Sequence, residues 1–415
     1  MKKNELIGGV SSFLACFYII IVNPAILSQA GMSFSAVCTS TIITASFSTI
    51  LMGLYAKNPI ILAPGMGLNA FFAFTVVLTH QVPIDQALGI VFWSGVLFLI
   101  LTLLKVREKI VDLIPLSIRL ATTAGIGVFI AFIGLKNAGI IQSHPATFIT
   151  FGKLDAVTIT FFVGLLLTAI LFIRNIIGAG LISILLMTVF SIPIGRFYGD
   201  ASSINNGVKE LVYYSGVFSS PDFSLFFNID LWGSLNLAFL PIIFTFVFTD
   251  MFDTISTLLG VSQAANLLDK DGKPRNLNKS LTVDAIATMF SGLFGTSPTT
   301  SFIESAVGVQ AGARGGASSV LAGLLFLPFI FLLPLLSLIP SFATTPILVM
   351  VGIFMFKNLN KIKWDKLEDA LPAFLTVIMI PLTFSISKGL IIGLSFYYLL
   401  NSRYIKSVFD RVKLS

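Results

Sequence analysis

Apolar runs of about 20 residues, each closed by a short polar break, recur along the whole chain, and a membrane-spanning helix needs about that length. The runs fall at about residues 9–28, 36–54, 59–78, 85–104, 115–135, 155–173 and 176–194. A second set lies at about 235–259, 280–295, 298–311, 316–338, 344–356, 369–385 and 389–401. The pattern predicts an all-α polytopic membrane protein with 14 transmembrane segments, of which the ninth, tenth, twelfth and fourteenth are short. Between the two sets, roughly residues 195–234 are polar with scattered Tyr and Phe, which predicts a connector rather than a separate domain.

Composition narrows the class. Of 415 residues, 56% are apolar and 11% charged, against roughly 25% charged in an average soluble domain. The mean hydropathy of +0.96 is spread over the whole length. A cytosolic enzyme, a secreted disulfide scaffold and a disordered chain are all excluded. Lys and Arg total 26 against 19 Asp and Glu. With the N-terminus inside, the cytoplasmic segments hold 20 of those 26, the outside segments hold 5, and Arg119 lies near the start of the fifth span. Cytoplasmic loops carry such an excess, so both termini are expected inside. The basic residues thus mark topology, with no stripe suited to nucleic acid. Cys16 and Cys38 sit inside apolar runs, and His80 and His144 lie in separate loops, so no metal, cofactor or disulfide framework is expected. Met-Lys-Lys-Asn-Glu before the first run reads as the start of an uncleaved span.

The two sets echo each other. Ala121-Thr122-Thr123 opens a run ending in Lys136-Asn137, and Ala343-Thr344-Thr345 opens one ending in Lys357-Asn358. Lys153-Leu-Asp-Ala156 and Lys366-Leu-Glu-Asp-Ala370 open the sixth and thirteenth spans. Pro64-Gly65 in the third span is matched by Gly295-Thr-Ser-Pro298 in the tenth, and these breaks are followed by Asn69 and Glu304. A duplicated unit with an odd number of spans enters the membrane from opposite sides, so the reading is two inverted seven-span repeats, residues 1–200 and 235–415, joined by an extracellular connector at 201–234.

Candidate chemistry collects at the breaks. The third and tenth spans each start extended, break at Pro64-Gly65 or Pro298, and resume as helix. A half-helix beginning inside the membrane exposes backbone N–H groups and a partial positive charge, and such backbone persists only where protein or a cavity surrounds it. Three acids lie well inside spans: Asp250, Asp253 and Glu304. A carboxylate at that depth is costly and normally faces a functional interior. Asp250 and Asp253, three apart on one helix, share a face and cannot easily both ionise, which suits one of them to carry a proton. Asp284, near the start of the ninth span, is read as a cap or support, with a direct functional role equally open. Asn69 both donates and accepts, and Phe71 follows it as a supporting aromatic.

At these residues the chain resembles a known family. Ala63-Pro-Gly-Met-Gly-Leu-Asn-Ala-Phe-Phe72, Phe248-Thr-Asp-Met-Phe-Asp-Thr254 and Thr299-Thr-Ser-Phe-Ile-Glu-Ser305 resemble segments of the adenine/guanine/hypoxanthine permeases, the azaguanine-permease branch of the nucleobase–cation symporters. The likeness runs over most of the chain, including Asn23-Pro24 and Gly272-Lys-Pro-Arg-Asn276. It implies proton-coupled purine import through the cell membrane by a homodimer. It also implies a core domain (spans 1–4 and 8–11) that moves against a gate domain (spans 5–7 and 12–14) like an elevator. Carried over by motif, the substrate site comprises Asn69, Asp250, Asp253, Thr300, Ser301 and Glu304, with the three acids available for proton coupling. The family usually reads Gly-Gly-Arg-Thr-Gly after the tenth span where this chain has Gly312-Ala-Arg-Gly-Gly316, which leaves the role of Arg314 open. Uracil/xanthine carriers and anion permeases share the seven-plus-seven plan, although an anion carrier has no need of an acidic cluster. A membrane prenyltransferase would need a second Asp-rich motif, and Asp269 and Asp271 sit in a basic loop.

Overall fold

The computed structural model describes residues 3–104, 114–205, 207–214, 216–268 and 274–401. Lys2, Lys105, Arg107, Lys109, Lys270, Lys273, Arg403, Lys406, Arg411 and Lys413 of the charge count, with Asp269, Asp271 and Gly272, lie outside the described residues.

The first apolar run folds as α1 (Lys3–Cys16) and α2 (Ile19–Leu27). α3 (Phe34–Leu51) starts where the Ser33 hydroxyl caps the Ala36 N–H, and a π turn at Met52–Ala56 extends it to Lys57, whose φ of 57° stops it. The third run opens as strand β1 (Leu62–Pro64) and resumes as α4 (Met66–Ala70), continuous with a π segment at Phe71–Thr79. Then come α5 (Ile84–Leu103) and α6 (Leu116–Asn137). A surface hairpin of β2 (Ile141–His144) and β3 (Phe148–Phe151) comes next, unforeseen by hydropathy. α7 (Ala156–Ile173) begins at a capping box of Asp155 and Thr158, and α8 (Ala179–Ser191) closes the first set.

The connector holds no long element among its described residues. It is tied down by the Trp93 indole N–H donating to the Leu231 carbonyl at 2.9 Å and by Asp222 accepting from Ser35 at 2.7 Å. The second set runs α9 (Leu240–Ala264), α10 (Leu277–Phe294), strand β4 (Thr299–Ser301) and α11 (Ser305–Gln310). α12 (Gly316–Phe326) and α13 (Leu333–Ser337) occupy a stretch expected as one span; a 3-10 turn with Pro328 near its start ends at Leu332, and Pro334 opens the next helix, because each proline lacks the N–H donor that would continue the one before it. α14 (Thr345–Phe356), α15 (Leu367–Thr383) and α16 (Ile386–Leu400) complete the chain.

Seven helical stretches among the described residues are long and apolar enough to cross a membrane, and four apolar helices are shorter. This is a multi-pass membrane protein. α10 fails the apolar test because Asn278, Lys279 and Asp284 lie on it, and α11 is only six residues long.

The helices pack in two groups. α1 and α3 lie on α12, and α5 lies on α9 and α10; separately, α6 packs on α14 and α15, α7 on α8 and α14, and α15 on α16. Backbone contact sets one crossing in the second group. A Cβ added at Gly127 would stand 2.7 Å from the Gly352 carbonyl oxygen, so α6 and α14 touch main chain to main chain.

Between β1 and β4 the two broken runs meet. They pair antiparallel, Leu62 with Ser301, Ala63 with Thr300 and Pro64 with Thr299. Irregular backbone at membrane depth must find partners within the protein, and here each break satisfies the other. Gly65 N–H donates to the Pro298 carbonyl at 3.0 Å and Phe302 N–H to the Ile61 carbonyl at 2.9 Å. Side chains complete the set: Leu62 N–H donates to the Thr49 hydroxyl at 3.1 Å, and Ile61 N–H to the Ser305 hydroxyl at 3.0 Å.

Candidate functional site

The crossing of β1 and β4 places the resumed helix of each broken run against α9 and the two strands against α10. Of the sequence-predicted residues, Asp253, Thr300 and Ser301 come together directly. Thr300 Oγ1 donates to Asp253 Oδ2 at 3.3 Å and lies 3.0 Å from Thr254 Oγ1, which accepts from the Ser301 N–H at 3.1 Å. Glu304 stands at the N-cap of α11, near enough to Asp253 for their charges to interact. α11 is too short to supply the half-helix dipole expected of the tenth span; Glu304 is held instead by the Tyr18 hydroxyl, which donates to Oε1 at 2.6 Å.

Asp250 turns away from this group toward α10. Its Oδ2 accepts from Thr288 Oγ1 at 2.9 Å, while its Oδ1 is buried without a hydrogen-bond partner among the described residues. Asp284 does not cap a helix. α10 begins seven residues earlier, at Leu277, because its first turns carry the polar residues read as loop. Asp284 therefore lies two turns inside, fully buried beside Asp250 and Thr254, with neither carboxylate oxygen hydrogen-bonded among the described residues. Asp250 and Asp253 thus share a helix face but serve adjacent surroundings.

Asn69 belongs to a neutral network. Ser297 Oγ donates to Asn69 Oδ1 at 2.6 Å and approaches Asn23 Oδ1 at 3.4 Å, and Asn23 Nδ2 donates to Thr41 at 2.7 Å and Thr296 at 2.9 Å. Asn69 Nδ2 and Ser301 Oγ are buried donors without partners among the described residues. An unmet polar group of this kind costs about 1–3 kcal/mol, which is recovered if a ligand supplies the missing acceptor. The Phe71 ring packs edge-on against that of Phe246 on α9, with centroids 4.9 Å apart.

A cavity of about 20 Å³ opens at Asp253, room for about one water molecule. Gly67, Leu68, Thr249 and Phe252 line it from one helix group, and Arg119, Thr122, Thr123, Ile126 and Met355 from the other. The Arg119 guanidinium lies 5.7 Å from the centre of the Phe252 ring. Sequence reasoning missed Tyr18, Thr288, Ser297 and the Thr122–Thr123 wall. The signals were one tyrosine in the apolar run of the first span, the serine of the Gly295–Pro298 break and a dipeptide marked by its repetition. Arg314 acts structurally: its Nη1 donates to the Val309 carbonyl at 2.5 Å and the Ala313 carbonyl at 2.7 Å, closing the end of α11.

Comparison with known proteins fits this arrangement. The permease family Xan_ur_permease matches residues 3–392. The chain is 40% identical to the adenine permease AdeP of Escherichia coli, over 95% of this chain and 86% of that one. It is 41% identical to the guanine/hypoxanthine permease PbuG of Bacillus subtilis, over 95% and 90%. Among solved structures, the transmembrane domain of a cyanobacterium bicarbonate transporter, BicA, superposes with a TM-score of 0.66 over 94% of this chain and 97% of that one. At 16% identity this shows a shared fold alone. A multi-pass chain with paired broken spans and acids at their crossing, matched over nearly its whole length, belongs to the permease family and is a transporter, not an enzyme.

Proposed function

We propose that the chain imports purine nucleobases (hypoxanthine, guanine or adenine) together with protons, by elevator-type alternating access. One observation carries this reading: Asp253 bonds Thr300 of β4 where β1 crosses it, and Glu304 and the open Asn69 amide stand just after the two paired breaks, in a relative of adenine and guanine/hypoxanthine permeases. A purine presents ring N–H and exocyclic amine donors alongside N and O acceptors. Asp253 and Glu304 accept from the donors; Asn69 Nδ2, Ser301 Oγ and the Thr300 hydroxyl meet the acceptors. Such a site rejects analogues that leave its own groups unpaired. Asp250, Asp253 and Glu304 are the residues for proton exchange, since buried acids inside a membrane are tolerable when one holds a proton. Asp284 and Phe71 support them.

In this reading the elements form 14 spans in two inverted seven-span repeats, with residues 201–234 outside, both termini cytoplasmic and two chains per assembly. The antiparallel pairing of corresponding breaks supports the inversion. The two helix groups correspond to a core of spans 1–4 and 8–11 and a gate of spans 5–7 and 12–14. The cavity between the groups is too small for a bicyclic base, so loading requires the groups to separate.

Asp250→Asn, Asp253→Asn and Glu304→Gln test the site. Each is expected to reduce purine uptake about 100-fold or more at unchanged membrane abundance, the scale of a lost charged contact made in the bound state. Normal saturable uptake by all three would remove the assignment.

A further inference from the structure

A second cavity shares no lining residue with the one at Asp253. A groove of about 810 Å³ runs between the end of α3 and the start of α12. Its floor is a backbone crossing: a Cβ added at Gly53 would stand 2.4 Å from the Gly316 carbonyl oxygen, and one at Gly316 would stand 1.9 Å from that of Gly53. Only two glycines let the helices approach so closely, and the approach leaves a trough beside them. Leu54, Val320, Leu321 and Leu324 wall the trough, and Leu54 and Leu324 are exposed, at 63% and 49%.

One end of the trough is basic, lined by Lys57 and Arg275. Among the described residues the lining carries no acid. Glu5 adjoins Gly315, but its oxygens are engaged as the cap of α12, accepting from the N–H groups of Arg314 and Gly315 at 2.9 Å and of Ser318 at 3.2 Å. Arg275 is fixed in place by donating from Nη2 to the Lys57 and Arg314 carbonyls, both at 2.8 Å. Among the described residues the single ion pair is Arg196 with Glu210, so no described acid is paired with Lys57 or Arg275. A fixed cationic mouth leading into an apolar trough on a membrane protein matches a molecule with an anionic head and a hydrocarbon tail.

We propose that this groove is a binding site for one anionic phospholipid, its phosphate at Lys57 and Arg275 and an acyl chain along Leu54, Val320 and Leu324. The site is independent of the transport site and of the identity of the transported solute.

The test uses the full chain in vesicles of equal phosphatidylglycerol and phosphatidylcholine, with native mass spectrometry of the lipids retained after extraction. The wild type is expected to keep one phosphatidylglycerol in preference to phosphatidylcholine. Lys57→Gln should weaken that retention about five-fold, the effect of one basic residue at a membrane surface. Ala317→Phe, which fills the trough and leaves every charge in place, should abolish it while the melting temperature in pure phosphatidylcholine stays unchanged. Equal retention of the two lipids, or phosphatidylglycerol retention indifferent to both variants, would overturn the proposal. So would displacement of the lipid by inorganic phosphate with no effect of Ala317→Phe, which would leave a small-anion site.

Discussion

The two broken runs use one backbone device and opposite side chains. After β1 the chain resumes helix with Gly65 extended at the N-cap and places an amide, Asn69, one turn in. After β4 it resumes with a carboxylate, Glu304, at the N-cap itself. Both reach the first span for support, but differently. Asn69 is fully buried and reaches Asn23 through Ser297, all neutral groups, whereas Glu304 is half-buried and takes a direct bond from Tyr18. Backbone satisfaction and chemistry are therefore separable. The paired strands let either break exist inside a membrane protein, and the side chain placed just after each break decides whether it organises the interior or carries charge. A neutral amide can be left one donor short at modest cost, whereas a carboxylate without a donor or a proton is far more expensive.

If that division is right, the two breaks should fail differently. Glu304→Gln is expected to lose uptake about 100-fold or more, whereas Asn69→Ala should lose about ten-fold, the value of one or two neutral hydrogen bonds to the solute. Equal losses in initial-rate assays would erase the distinction. Tyr18→Phe removes only the hydroxyl that holds Glu304. It should cost about ten-fold in uptake and nothing further when combined with Glu304→Gln, because a double-mutant cycle closes when two residues act through one contact. Additive losses would separate Tyr18 from Glu304. Ser297→Ala, on the neutral side, should cost only a few-fold.

The smallest effect is expected far from both breaks. Hydrogen bonds from Ser35, and further ones from Ser224 and Ser33, hold the Asp222 carboxyl below the usual carboxylate range. A depressed folded-state value means that its contribution is present above the ordinary carboxylate range and is lost as pH falls through the lowered value. Asp222→Asn should thus lower the melting temperature by about 1–2 °C at neutral pH, with the difference vanishing in acid. A difference that persists in acid would show that Asp222 acts by shape rather than charge.

The sequence made the breaks and the three span-embedded acids plain, because Pro, Gly and carboxylates stand out against apolar runs. It did not show how they are connected. A three-residue strand such as β1 has no periodicity of its own, and its partner lies more than 230 residues away, so the pairing of Leu62 with Ser301 leaves no local trace. Tyr18 reads as one more aromatic in a greasy span until Glu304 is seen beside it. Asp284 was visible but misplaced, since the polar first turns of α10 disguised its start. The interruption between α12 and α13 was hidden for the converse reason: proline is apolar enough to leave hydropathy unchanged.

The most direct test of proton-coupled purine import is uptake of labelled hypoxanthine, guanine and adenine into proteoliposomes holding the purified protein, with and without an inward proton gradient. The expected result is accumulation of at least one purine, released chemically unchanged, only when the gradient is present. No purine flux from demonstrably folded protein would contradict the proposed site, and gradient-independent exchange without accumulation would contradict the proton coupling.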